Sequence, residues 1–332
     1  MDIINHTQVR MFELSGLTDD ETLIPFLFIF FFAIYIMTIV GNLGIIAMVH
    51  LASYLQTPMY FFLSFLSMVD LLYSSTTTPK ILSDLVSSKK TIAFNDCAIQ
   101  FFFFGALAGT EVLILSTMSY DRYVAICHPL QYISIMTARK CWSFVAFSFG
   151  FGFFQAALQT SCVFSLQFCG PNHIDQFYCD IPPLMKLTCS KGFSCDALNI
   201  AVISSFSLYS LAAILGSYTL ILSSILRIKS SRSRQKAFVT CSSHITCASI
   251  FFIPIFCTYF RPPSSVFEKQ DKVASVFYST VTPMLNPLIY SLRNQEVKMF
   301  IIRALTNCQA HVGDNVNKLH GRSHEFGLNL SL

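Results

Sequence analysis

Apolar residues in this chain run in long blocks rather than alternating or following a narrow helical stripe. Seven blocks lie near residues 24–48, 58–80, 98–121, 141–163, 197–226, 238–260 and 272–292, each bounded by polar or proline-containing sequence. A hydrocarbon core takes about 20 apolar residues per helix. Inside it the backbone must satisfy its own hydrogen bonds, so blocks of this length predict helices rather than open strands. The expected fold is an all-α membrane protein, a seven-transmembrane helix bundle. No internal repeat is visible, and no single helix buries its partner-facing side alone, so the seven form one domain over 24–293.

Composition agrees. Hydrophobic residues make up 53% of the 332 and charged residues only 12%, with a mean hydropathy of +0.57. Soluble domains carry about 25% charged residues, so most of this surface faces something other than water, namely membrane lipid. Phe occurs 34 times and Trp once. A net charge of +4 is too mild to suggest nucleic acid. Paired Cys-x2-Cys motifs and Gly-rich phosphate loops are missing from the sequence, and neither metal nor cofactor is expected. The N-terminal segment expected outside the membrane is 1–23; its first 22 residues are polar and lack the pattern of a cleaved signal peptide. The first span is expected to act as an uncleaved insertion signal.

Seven spans put the termini on opposite sides. With the C-terminus inside, and leaving out Lys318 and Arg322 in the far tail, the inner side carries eleven Lys and Arg against nine outside, with a dense basic stretch from Arg227 to Lys236. Asn5-His6-Thr7 is a glycosylation sequon and belongs outside. Cys97 opens the third span, and Cys169, Cys179, Cys189 and Cys195 crowd one long loop, as disulfides in an oxidising compartment would require. Cys127, Cys141, Cys162, Cys241, Cys247, Cys257 and Cys308 are expected as free thiols. This orientation places a multi-pass chain in the plasma membrane, N-terminus extracellular.

Three sets of residues are candidates for chemistry. Asp121-Arg122-Tyr123 ends the third span. Two charges there either mark an interface or form a switch in which Arg122, permanently charged and able to make several hydrogen bonds, pairs with Asp121 or a neighbouring helix. Asp70 and Glu111 lie deep in the second and third spans. Intramembrane acids are satisfied polar contacts or functional groups; a conformational role is favoured here, with cation binding the weaker version. Asn286-Pro287-Leu288-Ile289-Tyr290 closes the seventh span, where Pro287 permits a kink and Tyr290 is free to swing toward Arg122.

These residues resemble one family, the olfactory receptors within the rhodopsin-like G-protein-coupled receptors. The resemblance covers roughly residues 10 to 305. It rests on Gly41-Asn42, on Thr57-Pro58-Met59-Tyr60-Phe61-Phe62-Leu63-Ser64, and on the run from Met118 to Pro129. It continues with Lys236-Ala237-Phe238, Thr240-Cys241-Ser242-Ser243-His244, and the run from Pro283 to Asn294. It implies a small odorant bound in the outer half of the bundle and a stimulatory olfactory G protein that raises cyclic AMP. It implies Cys97–Cys179 and Cys169–Cys189 disulfides, and an inner switch of Asp121, Arg122, Tyr123, Tyr218, His244, Asn286, Pro287 and Tyr290. It also implies a short helix at 294–305; the tail at 306–332 departs from the family in its length, and its polar composition, with His311, His320 and His324, predicts a disordered cytoplasmic tail. The implied pocket comprises Phe104, Gly105, Ala108 and Gly109 on the third helix and Val202, Phe206 and Ser207 on the fifth. Phe252, Ile255, Phe256 and Tyr259 on the sixth and Val276, Ser279 and Thr280 on the seventh complete it. Each Phe has packing or lipid contact as its alternative, and Phe101 to Phe104 wraps a full turn, so not all of that run can line a pocket.

Departures from the family pattern are few. Gln56 stands where His is frequent, Ser119 where Ala is common, and Gln176 where many members have a His, which leaves a metal role for that loop unsupported. Phe252 lacks the hydroxyl of the family's frequent Phe-Tyr-Gly. No acid occupies Phe104, where amine receptors of the wider superfamily place a counter-ion, so the ligand expected is small, neutral and mostly apolar. One hydrogen bond at about 1 kcal/mol net and apolar burial at roughly 25 cal/mol per Å² make micromolar affinity, about −8 kcal/mol, reasonable. A transporter would favour inverted repeats, and an intramembrane enzyme needs a nucleophile or metal set whose spacing is missing here. A chemoreceptor of the same fold with a non-olfactory role is the remaining alternative.

Overall fold

A computed structural model describes residues 9–18, 20–169, 172–189, 193–227, 230–259 and 268–293. Within those helices a few side chains, His244, Tyr259 and Tyr290 among them, are outside the description, as are Asn5, Cys308 and the whole of 294–332. Met1–Ile289 forms one unit and Tyr290–Leu332 a second; of the latter only the backbone of 290–293 is described.

Among the described residues seven long helices follow one another: Ile24–Leu51, Pro58–Val86, Phe94–Cys127, Ala138–Phe164, Phe193–Arg227, Ser231–Tyr259, and a seventh built from Glu268–Val276, a π-helical turn at Phe277–Val281, and Thr282–Arg293. Five of them are long and apolar enough to cross a membrane, and the sixth carries a shorter apolar stretch, Ile245–Thr258. Most extend past the apolar blocks of the sequence, because polar residues continue a helix beyond the hydrocarbon. The third, at 34 residues, is roughly 50 Å long at 1.5 Å per residue and outreaches a hydrocarbon core of about 30 Å.

Local sequence explains the helix ends. Pro58 sits in the first turn of the second helix after extended Thr57, where its missing N–H costs nothing. The third helix stops at Cys127 because Pro129 drives His128 out of the helical region, to φ −130° and ψ 54°. The first helix is apolar all round, yet buries one face at helical spacing, Phe31, Ile34, Thr38, Asn42 and Ile45. Its other face leaves Phe26 73% and Val40 66% exposed, which suits lipid and not water. The third helix is the hub, buried on most faces.

One end of the bundle carries a small three-stranded sheet. Strand β1 (Met11–Leu14) lies between β2 (Thr91–Ala93), antiparallel, and β3 (His173–Ile174), parallel. The alternation in Met11-Phe12-Glu13-Leu14 explains it: Phe12 and Leu14 are buried, while Met11 and Glu13 face out. Phe12 and Leu14 pack with Ile92, Phe101, Val163, Ile174 and Leu184 into a cluster that takes in the cysteines of two of the three disulfides found among the described residues. Those bonds join Cys97 to Cys179, Cys162 to Cys195 and Cys169 to Cys189, with Cα separations of 5.6, 5.8 and 5.3 Å. The expectation of a free thiol at Cys162 is therefore overturned. The fourth helix runs to Phe164 and the fifth starts at Phe193, so Cys162 and Cys195 meet at adjacent helix ends.

Candidate functional site

Near the disulfide-bearing end, five elements enclose a cavity of about 110 Å³. The third helix supplies Phe101, Phe104, Gly105, Ala108, Gly109 and Val112, and the fourth Gln155, Ala156 and Gln159. The long loop before the fifth helix adds Asp180 and Ile181. The fifth contributes Val202, Ile203, Phe206 and Ser207, and the sixth Phe251 and Ile255. The wall is overwhelmingly apolar. Its shape depends on a close approach of the third and fourth helices. A Cβ on Gly152 would fall 2.8 Å from the Ala106 carbonyl oxygen and 2.9 Å from the Thr110 nitrogen, and one on Gly109 would fall 2.9 Å from Gln155 Nε2. Small residues permit such crossings in membranes. Gln155 Nε2 then donates to the Gly105 carbonyl at 2.8 Å, fastening the pair.

Of the pocket positions implied by the family resemblance, Phe104, Gly105, Ala108, Gly109, Val202, Phe206, Ser207 and Ile255 border this cavity. Phe252, Phe256, Val276, Ser279 and Thr280 do not, and the Tyr259 side chain is outside the described residues. Packing on the seventh helix gives the reason. Tyr278 is buried against Phe104, ring centroids 6.2 Å apart, and Phe104 also stacks on Tyr73 and meets Tyr178 at a tilt, each at 4.8 Å. This aromatic wall separates the seventh helix from the cavity. Behind it the hydroxyls of Ser279 and Thr280 are fully buried and lie 3.2 Å apart. Phe252 packs edge-on against Phe251 instead. Sequence reasoning missed the fourth-helix face and the loop: Gln155, Ala156, Gln159, Asp180 and Ile181. The legible signal was Gln155 and Gln159, two amides four residues apart on one face of an apolar span.

The loop is wired into the bundle. Asp180 Oδ2 accepts from the Tyr178 hydroxyl at 2.8 Å and the Tyr278 hydroxyl at 3.3 Å, and Oδ1 accepts from the Ile181 N–H at 2.8 Å. Gln176 Nε2 donates to the Ser275 hydroxyl at 3.1 Å. Gln100 takes the Cys179 N–H on Oε1 at 3.0 Å and donates to the Thr76 carbonyl at 2.9 Å. Farther out, Lys272 Nζ lies 2.6 Å from Asp175 Oδ1, and the Ser15 hydroxyl donates to the same oxygen at 2.9 Å. The Lys272 hydrogen bond holds the Asp175 carboxyl below the usual carboxylate range against the opposing effect of partial burial, with Ser15 assisting.

At the opposite end, Arg122 donates from Nη2 and Nε to Asp121 Oδ2 at 2.6 and 3.0 Å, and the Tyr132 hydroxyl donates to Oδ1 at 2.7 Å. Burial, then the charge of Asp121, pushes the Tyr132 hydroxyl well above its ordinary pKa. Tyr123 lies outside this pair, its hydroxyl 3.2 Å from His128 Nε2. Tyr218 is buried on the fifth helix. In the middle of the bundle Asn286 Nδ2 donates to Asp70 at 3.0 and 3.2 Å, joining the seventh helix to the second. Glu111 is wholly buried nearby. Asn42 Nδ2 donates to the Pro283 carbonyl at 3.0 Å, and a Cβ on Gly41 would touch Pro287 at 3.1 Å. The first, second and seventh helices are thus tied through the expected polar positions. The roles of His244 and Tyr290 fall outside the described residues.

A seven-helix membrane bundle with a loop-roofed apolar cavity toward one end and a paired arginine at the other has the build of a receptor for a small molecule. Known proteins specify which kind. A family profile described as olfactory receptor matches residues 31–308. The chain is 50% identical to olfactory receptor 5AP2 of Mus musculus over 304 residues, 91% of this chain and 96% of that one. It is 46% identical to olfactory receptor 5B12 of Homo sapiens over 309 residues, 93% and 98% of the two chains, and 46% identical to olfactory receptor 5F1 of Homo sapiens over 303 residues, 91% and 95%. The chain belongs to the olfactory receptor family. It is accordingly a multi-pass membrane receptor and not an enzyme, of a family that binds odorants and acts through G proteins.

Proposed function

We propose that this receptor binds small, neutral, largely apolar odorants in the cavity between the third, fourth, fifth and sixth helices. We further propose that it answers by activating a stimulatory G protein that raises cyclic AMP. The observation that carries the ligand class is the cavity itself. An engineered cavity of about 150 Å³ lined by apolar side chains holds benzene, so about 110 Å³ suits a compact molecule of similar size. The one acid among its described lining residues, Asp180, is already engaged by two tyrosines and a backbone N–H, which disfavours a protonated amine. The disulfide-bearing end and the N-terminus face outward in this reading, since disulfides need an oxidising compartment, and the receptor works at the plasma membrane. The Asp121–Arg122 end then faces the G protein. Activation shifts population toward a state in which Arg122 leaves Asp121, favoured only as far as the ligand binds that state better. Asp70, Glu111 and Asn286 couple the second, third and seventh helices in that change.

The test is cyclic AMP in cells expressing a surface-tagged receptor and challenged with compact neutral odorants, with receptor-free cells and Arg122→Ala as controls. The expected result is a dose-dependent rise lost in both controls. A full response from a surface-delivered Arg122→Ala receptor would overturn the switch, and silence of well-delivered wild type across the panel would count against the ligand class and the coupling.

A further inference from the structure

Among the described residues the cavity has four polar side chains, and they differ in how far they are occupied. Gln155 has its amide donor committed to the Gly105 carbonyl. Asp180 holds Tyr178, Tyr278 and the Ile181 N–H. Gln159, one turn beyond Gln155 on the same face of the fourth helix, is only 4% exposed and borders the cavity. Its Nε2 makes no hydrogen bond to any described residue. A buried N–H that lost water and gained no acceptor weakens the fold, and natural proteins keep such groups where a ligand or water supplies the acceptor. Ser207 is the fourth, on the fifth helix.

We propose that Gln159 is the ligand-reading donor of this cavity, and that the preferred odorants carry an uncharged carbonyl oxygen, as ketones, aldehydes or esters do, on a compact apolar body. The assignment rests on the odorant-binding reading above and deepens it. A carbonyl asks only for a donor, which Gln159 has to give. A hydroxyl must also find an acceptor on a wall whose acid is already engaged. A carboxylate would bring its negative charge beside Asp180, and an ammonium ion offers Gln159 no lone pair. Sites built to hydrogen-bond a ligand group discriminate sharply against the isostere lacking it, because their own polar group is then left unpaired.

The experiment uses the full-length receptor, purified in lipid nanodiscs, and isosteric probe pairs: cyclohexanone with methylenecyclohexane, and benzaldehyde with styrene. Ligand-induced thermal stabilisation reads binding without a G protein, and cyclic AMP in cells reads signalling. Wild type is expected to prefer the carbonyl member of a pair about tenfold, the equivalent of 1.4 kcal/mol. In Gln159→Leu that preference should vanish while the hydrocarbon binds as well or better. Gln159→Asn, which keeps the amide but withdraws it, should retain hydrocarbon binding with a reduced carbonyl preference, and it serves if the leucine variant does not fold. A carbonyl preference that survives in Gln159→Leu, an equal affinity of wild type for both members, or no stabilisation by either carbonyl at millimolar concentration overturns the proposal. A carbonyl preference dependent on Gln159 but without cyclic AMP upholds it and faults only the coupling.

Discussion

Gly152→Ala adds one methyl group where the third and fourth helices touch. Read by helix propensity alone it should help, since glycine inside a helix costs about 0.5–1 kcal/mol relative to alanine. Gly150, two residues away with nothing within 4 Å of an added Cβ, supplies that reference. At Gly152 the new atom meets the Ala106 carbonyl oxygen at 2.8 Å, the Thr110 nitrogen at 2.9 Å and the Thr110 hydroxyl. Two of the three are backbone atoms that cannot rotate away, and the hydroxyl is already bonded to the Ala106 carbonyl at 2.8 Å. Ordinary contact begins at 3.4 Å, so the helices must part by about half an ångström. Overpacking of this kind costs typically 1–3 kcal/mol. The two alanine variants should therefore differ by about that amount, Gly150→Ala neutral or slightly more stable and Gly152→Ala less. Separation would also stretch the Gln155–Gly105 bond and reshape the cavity, so potency should fall for Gly152→Ala alone. Thermal melting in nanodiscs, surface delivery and dose–response curves measure the three effects. Indistinguishable melting and potency for the two variants would refute the claim that this crossing shapes the site.

Cys162→Ser removes a bond across a sequence separation of 33 residues and should cost about 3–4 kcal/mol by the chain-entropy model, seen as lost surface delivery; recovery of Cys162 as an alkylatable thiol in the native receptor would reject the pairing. Asp175 has a depressed pKa, so its contribution is complete above the unfolded value of about 3.9 and is lost only as pH falls through the lower folded value. Limited proteolysis near Met11–Leu14 should thus be flat from pH 5 to 8 and accelerate below about 4. At 41% exposed the pair is worth at most about 1 kcal/mol, and a transition near pH 6 abolished by Asp175→Asn would contradict this. Tyr278→Phe keeps the ring against Phe104 but removes the hydroxyl shared with Asp180. It should leave ligand-induced stabilisation near wild type and lower the maximal cyclic AMP response, and an unchanged maximum would show that the contact does not transmit.

The fold was legible because the bilayer is a demanding solvent. Apolar runs of bridging length favour helices in lipid, and five of the seven described helices follow from that; the sixth and seventh carry more polar sequence, and their apolar blocks still placed them. What the runs could not disclose is which face of each helix meets which neighbour. Ser279 and Thr280 carry the polar groups a pocket wants, and sequence alone gives no warning that Tyr278, just before them, turns inward on Phe104 and closes the way. Gln155 and Gln159 did advertise themselves as amides spaced one turn apart in an apolar span. The family resemblance implies a pocket on the third, fifth, sixth and seventh helices, and these two amides lie outside it on the fourth. Cys162 failed for a different reason: the apolar block ends at 163 and suggests depth in the membrane, whereas the bond depends on where the helix ends relative to its neighbour. The short strand at Met11–Leu14 was readable as an alternation and was masked by the polar character of the residues around it. In each case the missing quantity is a relation between two elements, set by long-range packing, while the quantities read correctly belong to one element and its solvent. The cavity is such a relation. Gly109, Gly152 and Gln155 shape its wall only because two helices touch there, and the donor role proposed for Gln159 depends on the same contact, which leaves its buried amide bordering the cavity with no hydrogen bond to a described residue.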